Sequence, residues 1–353
     1  MTQPSHDTDA DVKNISRDLR ALSPGYSETP LISLPSLAGD LGVSAVYAKD
    51  ESKRMLGSFK SLGGTYAALR ALASVAGIEF SAISNYPGDL PDLITASAGN
   101  HGLAVAAAAR FAGSKARIFL YPGVSDARRR RIADLGAEIV EVDGTYDDAV
   151  AAAKATAARG AGILVADTSD DPNDPIVADV IAGYGVMCWE IRQATEANGI
   201  SLPTHLFVQA GVGGIAAALA SGLKDWMAAP ASIIVVEPSA AACLSAALAA
   251  GSAVRVAGNL QTSATMLACG EASRPALQVL ASTNVDVIAL DEASLLDAPL
   301  KLRDGGGPPT TPSGAAGLAG LISIAGDVSA RKRHGLTSES RILIVITEGP
   351  LTE

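Results

Sequence analysis

The chain has 353 residues, 48% of them Ala, Val, Ile, Leu, Met, Phe, Trp, Tyr or Cys and only 18% charged, enough to bury two domain cores without a disulfide or metal staple. Its 37 acidic against 27 basic residues leave a formal charge of −10, which repels phosphate backbones and excludes general nucleic-acid binding. Cys188, Cys243 and Cys269 are too few and too scattered for a disulfide framework or a zinc cluster, as expected of a reduced, cytoplasmic protein.

Residues 1 to about 20 are polar and acidic, carry no apolar run of the kind a secretory signal needs, and read as a mobile arm. Thr29-Pro30-Leu31 opens an extended segment, because proline biases its predecessor away from helix. Ala45-Val46-Tyr47-Ala48 reads as a strand, and an alanine-rich helix follows from about Ser61 to Ala76. From Leu93 the pattern becomes regular. Strands are expected at Leu93–Ala96, Ala116–Tyr121, Ile139–Val142 and Ile163–Ala166, with helices at Gly102–Ala112 and Asp126–Leu135 and a third, capped by Thr145 or Asp147, running to about Ala158. A second series of strands begins at Leu206-Phe207-Val208 and continues at Ile233–Val236, Val287–Leu290 and Ile342–Ile346. Asp304-Gly305-Gly306-Gly307-Pro308-Pro309 can only be a loop. Leu206 to Leu223 is uncharged and approaches membrane-spanning length, but Gly211-Val212-Gly213-Gly214 divides it into a strand, a tight loop and a buried helix, so no membrane span is expected. Strands alternating with helices of this length predict an α/β protein with mostly parallel sheets.

In open parallel sheets, ligands lie beyond the carboxyl ends of the strands. Three loops in that position carry candidate chemistry. Gly211 to Gly214 joins a strand to a helix: its glycines let backbone N–H groups approach an anion, and the helix N-terminus adds partial positive charge, so the loop suits a phosphate. The alternative is a tight turn with no ligand, since the third glycine and distant acid of a dinucleotide fingerprint are missing. Ser97-Ala98-Gly99-Asn100-His101 offers amides to a small carboxylate and the Asn100 amide for one directed hydrogen bond; the plainer alternative is a helix cap. Thr347-Glu348-Gly349 is the third such loop. Lys60, a surface charge by default, abuts Phe59, Leu62, Gly63 and Gly64, a setting that can hold its amine against a ring and lower its pKa for use as nucleophile and base.

A lysine in Ser58-Phe59-Lys60, an Asn-bearing turn about forty residues on and a glycine loop about 110 residues further describe one chemistry together. The pattern resembles the fold-type II pyridoxal phosphate enzymes, the tryptophan synthase β family, over nearly the whole chain, and within it the diaminopropionate ammonia-lyase branch. Supporting stretches are Lys49-Asp50-Glu51-Ser52, Gly63-Gly64-Thr65-Tyr66-Ala67, Gly99-Asn100-His101-Gly102, Tyr146-Asp147-Asp148-Ala149-Val150, Asp167-Thr168, Gly183-Tyr184-Gly185, Val236-Glu237-Pro238, Leu267-Ala268-Cys269-Gly270-Glu271 and Ser313-Gly314-Ala315. The resemblance implies two domains, each an open, mostly parallel sheet flanked by helices: a large cofactor-binding domain of residues 1–80 and 186–353, and a small one of residues 81–185. It implies a homodimer with pyridoxal 5′-phosphate as cofactor, no metal, and a small amino acid as substrate. Lys60 is implied to carry the cofactor and, once freed, to serve as the base at the substrate Cα. Asn100 is implied to contact the cofactor 3′-oxygen, Gly211, Val212, Gly213 and Gly214 to hold its phosphate, and Thr347 to face its pyridine nitrogen. Ser97, Ala98, Gly99 and His101 would hold the substrate carboxylate, and Asp167 would act near the β-substituent, with a strand-end cap as its plainer alternative.

The sequence departs from that branch at two places. The branch has an aspartate, proposed to handle the D-enantiomer, where this chain has Ala98, an arrangement closer to threonine dehydratases; and Pro312 replaces a glutamate before Ser313-Gly314. The expected reaction is α,β-elimination of L-2,3-diaminopropionate to pyruvate and ammonia. The alternatives are a serine/threonine-type dehydratase, a β-replacement synthase and a non-catalytic amino-acid-binding homologue. Other features are weaker. His6, His101, His205 and His334 are far apart and suggest no metal site. Arg128 to Arg131 reads as a solvated helix face, Cys243 and Cys269 as neighbours or buried free thiols, and Glu237 as part of a pocket rim or a strand end.

Overall fold

The computed structural model describes residues 8–22 and 26–350. In chain order its elements are α1 (Thr8–Leu22), β1 (Leu31–Ser33), α2 (Pro35–Leu41), β2 (Ala45–Asp50), α3 (Lys60–Ala76), β3 (Leu93–Thr95), α4 (Asn100–Ala112), β4 (Ala116–Leu120), α5 (Asp126–Ala133), β5 (Glu138–Glu141), α6 (Tyr146–Ala158) and β6 (Ile163–Leu164). There follow α7 (Pro175–Tyr184), α8 (Val186–Ala197), β7 (His205–Gln209), α9 (Gly214–Leu223), β8 (Ser232–Pro238), α10 (Cys243–Ala250), α11 (Arg274–Thr283), β9 (Asp286–Leu290), α12 (Glu292–Asp304), α13 (Pro312–Ala325), α14 (Val328–His334) and β10 (Arg341–Ile346).

The strands form two sheets. Six strands run in the order β1-β2-β10-β7-β8-β9, all parallel except the edge pair β1/β2, and four run β5-β4-β3-β6, parallel throughout. The central strands of the larger sheet are covered on both faces, which is why β7, β8 and β10 read as nearly continuous apolar runs without alternation. The segment Asp304–Pro309 leaves helix at Gly305, so Asp304 still closes α12. No single helix among the described residues is long and apolar enough to cross a membrane.

The expected arm is corrected from residue 8 onward: α1 is a helix, and of that arm only residues 1–7, His6 among them, lie outside the described residues. Val12, Ile15 and Leu19 recur at helical spacing, and Ile15 and Leu19 are buried in the same core as Ile191 of α8. Polar composition hid this sparse apolar stripe. The chain just beyond α1 is tied down by buried ions. Glu190 of α8 receives Lys49 at 2.5 Å and Arg54 at 2.7 Å, Arg54 also pairs with Glu51 at 2.8 Å, and the Tyr26 hydroxyl donates to Glu190. Burial alone would push the Glu190 carboxyl up, but the Arg54 hydrogen bonds and the Lys49 charge outweigh it and hold the carboxyl ionised.

Helix α3 joins the two cores. Leu62, Tyr66 and Ala67 pack beneath the larger sheet, whereas Ala68, Leu69, Leu72 and Ala73 pack with β3 and β4 of the smaller one. It crosses α7 at two glycines: a Cβ on Gly63 would lie 2.3 Å from the Val180 carbonyl oxygen, and one on Gly183 would lie 2.7 Å from the Gly63 Cα. On its other side, a Cβ on Gly64 would meet Ala104 of α4 at 2.8 Å. Gly63→Ala is therefore expected to destabilise the protein by about 1–3 kcal/mol through overpacking. Gly39→Ala, in α2 with nothing within 4 Å of the added methyl, should be neutral or slightly stabilising. Urea melts followed by circular dichroism compare the two; equal stabilities would refute the crossing constraint.

Candidate active site

A cavity of about 580 Å³ lies at the carboxyl ends of the parallel strands. The segments that line it each follow a strand: Ser97 to His101 after β3, Asp167 after β6, Gly211 to Gly214 after β7, and Thr347 and Glu348 after β10. Lys60, the first residue of α3, completes it. Every candidate taken from the sequence, Ala98, Gly99, Asn100 and Val212 included, lines this one cavity.

Two of the helix N-termini that open onto it, those of α4 and α9, are capped by glycine without a side-chain hydrogen bond. Gly213 caps α9 at φ 102°, in the left-handed region that favours glycine, and a Cβ on Gly211 would lie 2.8 Å from the Cys269 sulfur. The loop's amides and the first turn of α9 therefore form an anion cradle that side chains would fill. At α4 the cap is Gly99, so neither Ser97 nor Asn100 takes the N-cap position expected of a plain helix start; the Ser97 hydroxyl instead accepts from the Gly99 N–H at 3.3 Å. A Cβ on Gly102 would fall 1.9 Å from the Ser97 carbonyl oxygen, so this turn closes only with glycine there.

Lys60 Nζ donates to Asp167 Oδ2 at 2.5 Å, with both side chains under a quarter exposed. Burial by itself would lower the amine's pKa, but the Asp167 charge outweighs it, and Lys60 is held protonated. This reverses the lowered pKa expected from its apolar neighbours, because the sequence could not show a carboxylate 107 residues away in contact with it. Reciprocally, burial would raise Asp167 and the Lys60 charge holds it well below the usual carboxylate range. The Phe59 and Tyr184 rings, 4.8 Å apart between centroids, stand 5.3 and 5.8 Å from the ammonium. His101 contacts the Val165 carbonyl through Nε2 at 2.9 Å, and burial lowers its pKa, keeping the imidazole neutral. The Thr347 hydroxyl oxygen accepts from Gln209 Nε2 at 2.9 Å, which leaves its proton free to donate.

Sequence reasoning gave no role to Glu348, which lies in the cavity with Asn100 Nδ2 and the Thr311 hydroxyl donating to its two oxygens. Its only signal was position, an acid directly after a buried strand. The run Arg128 to Arg131 is not uniformly solvated: Arg128 lines the cavity, and Arg129 donates to the Tyr121 and Val124 carbonyls. Arg255, paired with Asp147 at 2.5 Å, also reaches the cavity. Glu237 is a buried cap that accepts the Leu244 and Ser245 N–H groups at the start of α10. Cys243 and Cys269 are free thiols, and Cys243 contacts the Gly211 carbonyl.

An amine beside a glycine-built anion cradle, at the strand ends of paired α/β sheets, defines an enzyme built to hold a phosphorylated aldehyde. The chain belongs to the pyridoxal-phosphate dependent enzyme family, whose model matches residues 22–348, and pyridoxal phosphate is its cofactor. It is 32% identical over 343 residues to diaminopropionate ammonia-lyase of Escherichia coli K12, covering 92% of this chain and 85% of that protein. A crystal structure of the holo Escherichia coli diaminopropionate ammonia-lyase superposes with a TM-score of 0.87 at 28% identity, covering 99% of this chain and 91% of that one. A probable D-serine dehydratase of Acidovorax ebreus is 25% identical over 87% of this chain and 73% of its own length. The donor set fits the cofactor: a glycine cradle for a phosphate, an amine for an aldehyde and an uncharged hydroxyl for a ring nitrogen.

The Lys60–Asp167 pair predicts a pH signature in the cofactor-free protein. A carboxyl depressed below its ordinary 3.8 contributes stability above that pH and loses it as the pH falls below. Between about pH 4 and pH 2, wild type should lose unfolding free energy more steeply than Asp167→Asn. Parallel slopes in urea melts would show that the pair contributes nothing.

Proposed function

We propose that this chain is a lyase that takes L-2,3-diaminopropionate through α,β-elimination to pyruvate and two ammonia, one water being consumed. The observation that carries this reading is the Asp167 carboxylate held 2.5 Å from Lys60 Nζ, which sets a fixed negative charge beside that amine, where a substrate's β-ammonium can be received. The similarity to diaminopropionate ammonia-lyases over nearly the whole chain supports it. Bound pyridoxal phosphate supplies the electron sink for negative charge at Cα.

The remaining roles belong to the chain. Amides of Gly211, Val212, Gly213 and Gly214 would hold the cofactor phosphate, and Thr347 would donate to the pyridine nitrogen without a charge, which would leave that ring unprotonated and favour elimination. Asn100 faces the 3′-oxygen. The first-turn amides of α4, with Ser97, Ala98, Gly99 and His101, hold the substrate carboxylate. Lys60 Nζ, an ammonium in the cofactor-free chain, would take the Cα proton as the neutral amine, and Asp167 would steady the departing β-ammonium. Ala98 has no proton to move, so D-diaminopropionate is turned over poorly or not at all. The two lobes, residues 1–80 with 186–353 and residues 81–185, enclose the site between them, and the protein works as a cytoplasmic homodimer, the commonest assembly for a soluble enzyme.

A hydroxy-amino-acid dehydratase is the second reading, favoured by Ala98 and by the similarity to the probable D-serine dehydratase. Keto-acid and ammonia release by holo-protein given L-diaminopropionate, D-diaminopropionate, L-serine and L-threonine separates them. Pyruvate with two ammonia from the L-diamine alone is the expected outcome; turnover of the hydroxy acids alone would replace it with the dehydratase. Lys60→Ala should reduce turnover by about a hundredfold or more, and full activity in that variant would remove Lys60 from the mechanism.

A further inference from the structure

Glu348 is buried at the cavity wall and both of its carboxylate oxygens accept: Oε2 from Asn100 Nδ2 at 2.5 Å and Oε1 from the Thr311 hydroxyl at 2.5 Å. Its backbone is pinned as well, by the Thr310 hydroxyl on its carbonyl and by a bridge to Ser58, two residues before Lys60. Among the described residues no Lys or Arg forms an ion pair with it, so it faces only neutral donors. Burial pushes its carboxyl up, partly offset by those two hydrogen bonds and by the charges of Arg128 and Lys60.

Asn100 has one N–H on Glu348; its second N–H and its carbonyl oxygen have no protein partner among the described residues. A side-chain amide can turn either edge to a neighbour, one donating and one accepting. A carboxylate on one side removes that freedom, because flipping the amide would set its carbonyl oxygen against Glu348.

We propose that Glu348 is a positioning residue for the cofactor: it fixes the sense of the Asn100 amide so that an N–H, and not the carbonyl, is presented to the cofactor 3′-oxygen. This rests on the reading of Asn100 given above. It adds that the acid following β10 acts on the cofactor only through Asn100, as an acceptor that has no donor to turn toward it.

Pyridoxal phosphate affinity and the visible absorption band of the bound cofactor test this in a double-mutant cycle. Glu348→Ala and Asn100→Ala should each weaken cofactor binding about tenfold and shift the band in the same direction, as expected for one lost charge-assisted hydrogen bond. The double variant should be no worse than Asn100→Ala. Glu348→Gln, whose own amide can turn either edge to Asn100, should bind the cofactor no better than wild type and no worse than Glu348→Ala. If Glu348→Ala does not fold, Glu348→Asp, which keeps the charge but withdraws it from Asn100, is expected to show the same loss. Independent, additive effects of the two single variants would overturn the proposal, as would a Glu348→Gln variant more damaged than the alanine one. An Asn100→Ala effect without a Glu348→Ala effect would overturn it while leaving the Asn100 reading intact; no effect from Asn100→Ala would overturn both.

Discussion

The close approach of α3 to α7 and α4 at Gly63, Gly64 and Gly183 is the constraint on which the site depends. Three helices meet there with less room than a methyl group needs, so their separation is set by backbone contact. Because α3 contributes apolar residues to both cores, that contact also fixes how the larger sheet faces the smaller. Lys60 sits one turn from the crossing, at the end of α3 that opens onto the cavity. Its amine is thereby carried on a rigid element, while its partner Asp167 arrives from the end of β6 in the other sheet.

The cavity holds two carboxylates, one half-buried and one buried, in opposite settings. Asp167 meets an ammonium, whose charge outweighs the penalty of burial and keeps it ionised. Glu348 meets an amide and a hydroxyl, which satisfy both of its oxygens but only partly offset burial. Environment, not residue type, separates them: the first faces a charge and the second faces neutral donors. Away from the cavity, Glu190 with Lys49 and Arg54 shows the purely architectural use of the same chemistry, pinning the chain after α1 to α8 and β2.

Much of the architecture was legible along the chain because parallel strands buried on both faces are locally distinctive. The runs at β7, β8 and β10 and the helices beginning at Lys60, Asn100 and Tyr146 lie within a residue or two of where periodicity and turn chemistry place them. The Thr145 cap, one of two alternatives, is present with Asp148 as its reciprocal partner. Helix α1 was missed because Ile15 and Leu19, its buried apolar side chains among the described residues, are too sparse on a polar segment to register without the surface they pack against.

The sequence by itself determined the α/β class, the family, and which glycines, lysine and asparagine were worth following, since those follow from residue type, order and spacing. Only the tertiary structure decided what touches what. It paired Lys60 with Asp167 and so held the amine protonated where its apolar neighbours alone implied the reverse, brought Arg128 to the cavity from a run that looked solvated, and set Glu348 against Asn100. Each of these contacts joins residues far apart in the chain, at least 107 positions for the first and 248 for the last. Protonation and hydrogen-bond sense depend on distance in space, which a one-dimensional pattern does not contain.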